Sequence, residues 1–152
     1  KDILFLFVGE GHKKQWAQDY VIKHQLTNCM FKSYVNRDHL GSMLDAFNIG
    51  IVSLLPENTG LSVPSKTMGL LAAGLPIIAL LDQHSEIGLL INEFKNGVVI
   101  DPHHPQQLAN AITKLHSNSE LLSNYSQQSI AAMTSKYNLD YSASLFYKLF
   151  KK

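Results

Sequence analysis

After Lys1-Asp2 comes an unbroken apolar run, Ile3-Leu4-Phe5-Leu6-Phe7-Val8. Such a run marks a strand buried on both faces. Gly9-Glu10-Gly11 ends it. Over residues 12–26, Trp16, Tyr20, Val21 and Leu26 recur among lysines and glutamines at helical spacing. A short strand over 29–33 and a turn at Val35-Asn36 come next. The helix after them carries Leu40, Met43, Leu44 and Phe47 on one face, with Asn36 as its expected N-cap. Residues 49–54 read as a third strand, and Pro56 to Pro64 as an exposed loop rich in turn formers. The pattern then predicts a short helix over 65–73 closed by Gly74, a strand over 76–81, a helix opening at Glu86 after Ser85, and a strand over 97–100. Beyond Asp101-Pro102 only helical periodicity remains. One helix starts at Pro105 with His104 as cap, a second spans 120–136 and a last spans 140–151.

Strands alternating with helices through residue 100 predict an α/β fold: a Rossmann-like parallel sheet with helices on both faces, followed by a C-terminal helical tail. No composition shift, repeat or charge run marks a boundary inside the chain, so residues 1–152 are expected to form a single domain.

Composition narrows the function classes. Thirteen basic against twelve acidic residues leave a formal charge of +1. That balance argues against a nucleic-acid partner, which calls for a basic face. The seven histidines are scattered, and none has the spacing of a metal motif, so no metal is expected. Cys29, the single cysteine, cannot form an internal disulfide and reads as a buried small residue in a reducing compartment. The most apolar stretch, Gly69 to Leu81, is broken at Gly74 and Pro76 and is too short to span a bilayer. There is no secretory signal, no basic amphipathic helix and no initiator methionine. A cytoplasmic piece of a longer protein is the expectation.

In open parallel sheets ligands collect beyond the carboxyl ends of the strands. That rule selects Gly9-Glu10-Gly11, Ser33 to Asn36, and Thr59 to Lys66. The last is the most informative. Gly60-Leu61-Ser62-Val63-Pro64-Ser65-Lys66 leads into a helix whose first amides attract phosphate, with the Ser65 hydroxyl and the Lys66 ammonium beside them. A capped helix start with a solvated lysine fits the same spacing. Val8-Gly9-Glu10-Gly11 has half of a dinucleotide fingerprint but lacks its third glycine at the required spacing, so it reads as a tight strand-to-helix turn rather than a nicotinamide-cofactor loop. Glu57, Glu86 and Asp45 read as surface or helix-start carboxylates, and no nucleophilic triad or carboxylate pair stands out.

Five segments together resemble the family 4 (group 1) glycosyltransferases. They are Phe7 to Gly11, Tyr34 to Leu40, Val63-Pro64-Ser65-Lys66, Ala72 to Ala79, and Asn96 to Pro102. The Pro-Ser-Lys form is similar to a subgroup associated with bacterial surface polysaccharide synthesis. The resemblance implies the C-terminal, donor-binding half of a GT-B enzyme, whose N-terminal acceptor-binding half would lie outside this chain. The implied reaction transfers a sugar from a nucleotide-diphosphate sugar with retention, without a metal or other cofactor. This half would be inactive alone, and membrane contact would come only through the other. Lys66 and Ser65 are the implied catalytic pair. Gly9, Glu10, Gly11, Tyr34, Val35, Leu40, Gly60, Leu61, Ser62, Val63 and Pro64 are the implied substrate-binding set, with Tyr34 and Val35 against the base. The last helix, around Tyr141 to Phe150, would cross back toward the acceptor half. A nucleotide-sugar epimerase of the same fold and a non-catalytic assembly module are the competing readings.

The sequence departs from that family in three places. Leu61 and Gly69 stand where many members carry a pair of glutamates, and Asn48 stands in place of an aspartate. A strand and helix that normally precede Lys1, and bring two diphosphate-binding cations, are not in this sequence. In the family that strand lies between those matching residues 3–8 and 49–54. A gap, direct pairing of the two, or pairing with another molecule is expected.

Overall fold

A computed structural model describes residues 2–151. The chain forms two compact units, Lys1–Met43 and Leu44–Lys152.

In the first unit, strand β1 (Phe5–Val8) pairs in parallel with β2 (Cys29–Lys32), and helix α1 (Lys14–Lys23) is the crossover between them. Phe7 lies opposite Phe31, and their rings stack with centroids 5.0 Å apart. The apolar run at 3–8 is not buried on both faces as its pattern predicts, since Phe7 is half exposed. Cys29 is half-buried rather than buried. Trp16, Tyr20 and His24 form an exposed ring ladder along α1, one turn apart.

Helix α2 (Leu40–Asp45) follows a 3₁₀ turn, Arg37–His39, and stops short of Phe47. Asn36 does not cap that turn with its side chain. Its backbone carbonyl accepts from the His39 amide instead.

The second unit holds a three-stranded parallel sheet in the order β3 (Gly50–Ser53), β4 (Ile77–Leu80), β5 (Gly97–Ile100). Helix α3 (Lys66–Ala72) carries the chain from β3 to β4, and α4 (Glu86–Phe94) from β4 to β5. Helices α5 (Pro105–His116), α6 (Ser119–Ser135) and α7 (Leu139–Phe150) form the tail. Strand β4 is central, and Ile77, Ile78 and Ala79 are fully buried. Each of the two isoleucines contributes about 1.5–3 kcal/mol. Val52, Leu71, Leu81, Ile87, Leu90, Ile91 and Ala132 cluster with Ile77 and Ala79, and α6 packs against α3, α4 and α5.

Close approach is built at Gly50, where a β-carbon would stand 2.6 Å from a Leu70 methyl carbon. Gly69 needs no such allowance, because its nearest neighbour, Leu44, would be at an ordinary 3.7 Å. Gly74 closes α3 as its place predicts, at φ +65°, the left-handed region that glycine enters without strain. Pro105 occupies the first position of α5, but the His104 side chain makes no cap hydrogen bond. Its Nδ1 lies 3.4 Å from Asp101 Oδ2 instead.

The expected single sheet is thus two. Among the described residues β1 pairs only with β2, and β3 only with β4. No helix is long and apolar enough to cross a membrane among the described residues.

Candidate functional site

In a parallel sheet each strand delivers its following loop to the same rim. In the first unit this places the loops after β1 and β2 side by side, since the Gly9 amide donates to the Lys32 carbonyl at 3.1 Å. Gly9 sits at φ +121° with open space around its α-carbon, and Gly11 is equally uncrowded. The Glu10 carboxylate is held by Lys14 Nζ at 2.7 Å. That pair joins the loop after β1 to the first residue of α1. Tyr34 is 74% exposed, so its ring is open for stacking, and Val35 beside it is half-buried. Leu40 opens α2 and is partly exposed.

In the second unit the β3–α3 connection leaves the carboxyl rim. A 3₁₀ turn, Pro56–Asn58, starts it, and the Asn58 carbonyl accepts from the amides of both Leu61 and Ser62. Gly60 makes this turn possible at φ +79°. Ser65 occupies the position before α3, and its side chain makes no cap hydrogen bond. The amides of Thr67 and Met68 fold back onto the carbonyls of Pro64 and Ser65. The start of α3 is therefore less open than a helix end with four free amides. Among the described residues, the amides of Ser65 and Lys66 are left without a backbone acceptor. Lys66 is exposed and in no ion pair among the described residues. Ser62, Leu61 and Val63 are exposed, and Pro64 is half-buried.

The neighbouring rim loops are closed on themselves. Asp82 accepts from the His84 amide at 2.7 Å, and Asp101 from the His103 amide at 2.9 Å. The second bond, more than the nearby histidines, holds the Asp101 carboxyl below its ordinary range. Both carboxylates are thus turn formers. No group of three or more His, Cys, Asp or Glu that could hold a metal ion occurs among the described residues.

The structure thus brings Gly9, Glu10, Gly11, Tyr34 and Val35 to the rim of one unit, and Gly60 to Lys66 to the rim of the other. Sequence reasoning missed two residues here. The Oγ1 atoms of Thr59 and Thr67 are buried and have no hydrogen-bond partner among the described residues, and both flank the same connection. An unpaired buried hydroxyl costs about 1–3 kcal/mol, so this segment is held in place at some expense. A threonine inside a helix start gives no signal of that in sequence.

Residues 1–132 match the family model described as glycosyl transferases group 1. The chain belongs to the group 1 glycosyl transferases. Over 115 residues, 73% of the chain, it is 33% identical to the probable glycosyltransferase WbjE of Pseudomonas aeruginosa, and it spans 28% of that protein's length. Two solved structures share the fold of this group 1 glycosyltransferase chain. TarM of S. aureus, in complex with Fondaparinux, alpha-GlcNAc-glycerol and UDP, matches 98% of the chain and 29% of TarM at TM-score 0.78 and 20% identity. The C-terminal domain of a glycosyl transferase group 1 family protein, LpcC, from Francisella tularensis matches 86% of the chain and 66% of that domain structure at TM-score 0.68 and 20% identity. The parallel strands, crossover helices and helical tail are those of the GT-B glycosyltransferases it resembles.

Proposed function

We propose that residues 1–152 are one partial C-terminal, nucleotide-sugar-binding domain of a glycosyltransferase that builds a bacterial polysaccharide or glycoconjugate. The observation that carries this reading is the start of α3. Among the described residues, an exposed Lys66 in no ion pair, a Ser65 hydroxyl without a cap bond and two amides without backbone acceptors stand together at the carboxyl rim of β3. Amides and an ammonium so placed complement a pyrophosphate.

In this proposal Lys66 and Ser65 stabilise negative charge that develops on the leaving diphosphate as the sugar bond breaks. Donors fixed in advance for developing charge are the largest single contribution in many such reactions. By the family resemblance, Tyr34 and Val35 take the nucleobase, Gly9 to Gly11 and Leu40 are further donor contacts of the first unit, and Gly60 to Pro64 of the second unit contact the sugar. The UDP found with TarM supports a nucleotide at this fold. In this proposal transfer proceeds with retention and without metal or other cofactor, as the family resemblance implies. The acceptor binds a preceding N-terminal domain, which also makes any contact with the inner membrane face. The enzyme works in the cytoplasm, without a nucleic-acid partner, and residues 1–152 alone are inactive.

The test is product analysis with a labelled nucleotide sugar and the whole protein. Transfer of label to an acceptor with release of nucleoside diphosphate is the expected result. An epimerised nucleotide sugar, or no turnover with any donor, overturns it. Lys66→Ala should raise the barrier by about 2–4 kcal/mol, and unchanged turnover removes Lys66 from the mechanism.

A further inference from the structure

Single exposed apolar side chains are ordinary, but several confined to one functional loop are not. On the β3–α3 connection Leu55 is 59% exposed, Leu61 83% and Val63 50%. The other two rim loops of the same unit differ. Asp82, Gln83 and His84 after β4, and Asp101, Pro102, His103 and His104 after β5, expose polar groups and a proline. Apolar aliphatic exposure at this rim is thus specific to the loop that leads to Lys66.

The presentation of Leu61 is also built. Gly60 turns the backbone at φ +79°, and the amides of Leu61 and Ser62 both anchor on the Asn58 carbonyl. Between Gly60 and Pro64 the only polar side chain is that of Ser62. A fully hydroxylated hexose needs a hydrogen-bonding partner for each hydroxyl withdrawn from water, and this segment offers one.

We infer that Leu61, with Leu55 and Val63, receives a methyl-bearing substituent of the donor sugar, so that the enzyme prefers a 6-deoxy or N-acetylamino sugar over a fully hydroxylated hexose. This rests on the donor-binding reading above and adds the class of sugar. Both substituents end in a methyl group, which an aliphatic contact accepts.

The test is calorimetric titration of the whole protein with two donor pairs. UDP-N-acetylglucosamine is set against UDP-glucose, and GDP-6-deoxymannose against GDP-mannose. An aliphatic contact of this kind discriminates modestly, so the methyl-bearing member of one pair should bind about tenfold more tightly. Leu61→Ser, at a side chain exposed enough for the fold to tolerate it, should bring that ratio close to one. The pair that responds tells the acetamido from the deoxy sugar. Equal affinities within both pairs, or a preference that survives Leu61→Ser, overturns the inference. Binding of UDP or GDP alone separates the two levels. Nucleotide bound without discrimination refutes the sugar class only, whereas no nucleotide bound refutes the donor-site reading as well.

Discussion

Replacing Ser129 with alanine tests how the helical tail is fastened to the sheet. Ser129 lies in α6 and is fully buried. Its hydroxyl donates to the Leu75 carbonyl at 2.8 Å, just ahead of β4, and accepts from Asn96 Nδ2 at 3.2 Å, just ahead of β5. Asn96 is buried too, and its Oδ1 already lacks a partner. One serine therefore joins a helix to the entry points of two strands. Ser129→Ala strands a buried carbonyl and a buried amide hydrogen, at about 1–3 kcal/mol each. Alanine returns about 0.5 kcal/mol through its better helix propensity. The net loss is about 1.5–5.5 kcal/mol. Hydrogen exchange read by mass spectrometry on the whole protein suits this test, because it reports local opening without assuming that a larger chain unfolds in one step. Protection at Ile77 and its neighbours in β4 should fall by about tenfold at least, and by up to several thousandfold. The double variant Asn96→Leu/Ser129→Ala should cost less than the sum of the singles, since both act on one network. Protection unchanged within about threefold would show that the network does not hold the tail.

Gly97→Ala should prevent normal folding, because the new β-carbon would stand 1.9 Å from the Ile77 carbonyl oxygen across the β4–β5 ladder. The expected loss exceeds about 3 kcal/mol and reads out as insoluble protein or a collapsed melting temperature. Thr67→Val removes a buried hydroxyl that has no partner and keeps the shape. The melting temperature should stay level or rise, and a fall would mean that the hydroxyl is satisfied. Asp101 is held below its ordinary range by the His103 amide, so its contribution to stability is complete above the unfolded value and lost as pH falls through the folded one. Melting curves taken below about pH 4 should show that loss in the parent and its absence in Asp101→Asn.

Much of the fold was legible because apolar runs and helical spacing reflect burial directly. Ile77 to Leu80 and Gly97 to Ile100 form strands within a residue or two of their patterns. The stop at Gly74 was legible because only a left-handed residue ends α3 there. The division into two sheets was not, since an apolar run states that a strand wants partners but not which strand supplies them. Caps were misread for a related reason. Asn36 and His104 have the right chemistry, yet in each case a competing local bond wins, by a backbone carbonyl at Asn36 and by Asp101 at His104. Asn118 and Asn138 do the capping for α6 and α7. At the candidate site the loops and Lys66 were readable from the order of elements. The inward return of the Thr67 and Met68 amides was not, because it depends on backbone angles at Pro64 and Ser65 rather than on residue type.

The pyrophosphate reading of the α3 start is tested most directly by titrating UDP and GDP into the whole protein and into its Lys66→Ala variant. The account predicts saturable binding of one nucleotide, weakened about tenfold or more when the ammonium is removed. Equal affinity in parent and variant, or no binding of either nucleotide, would contradict it.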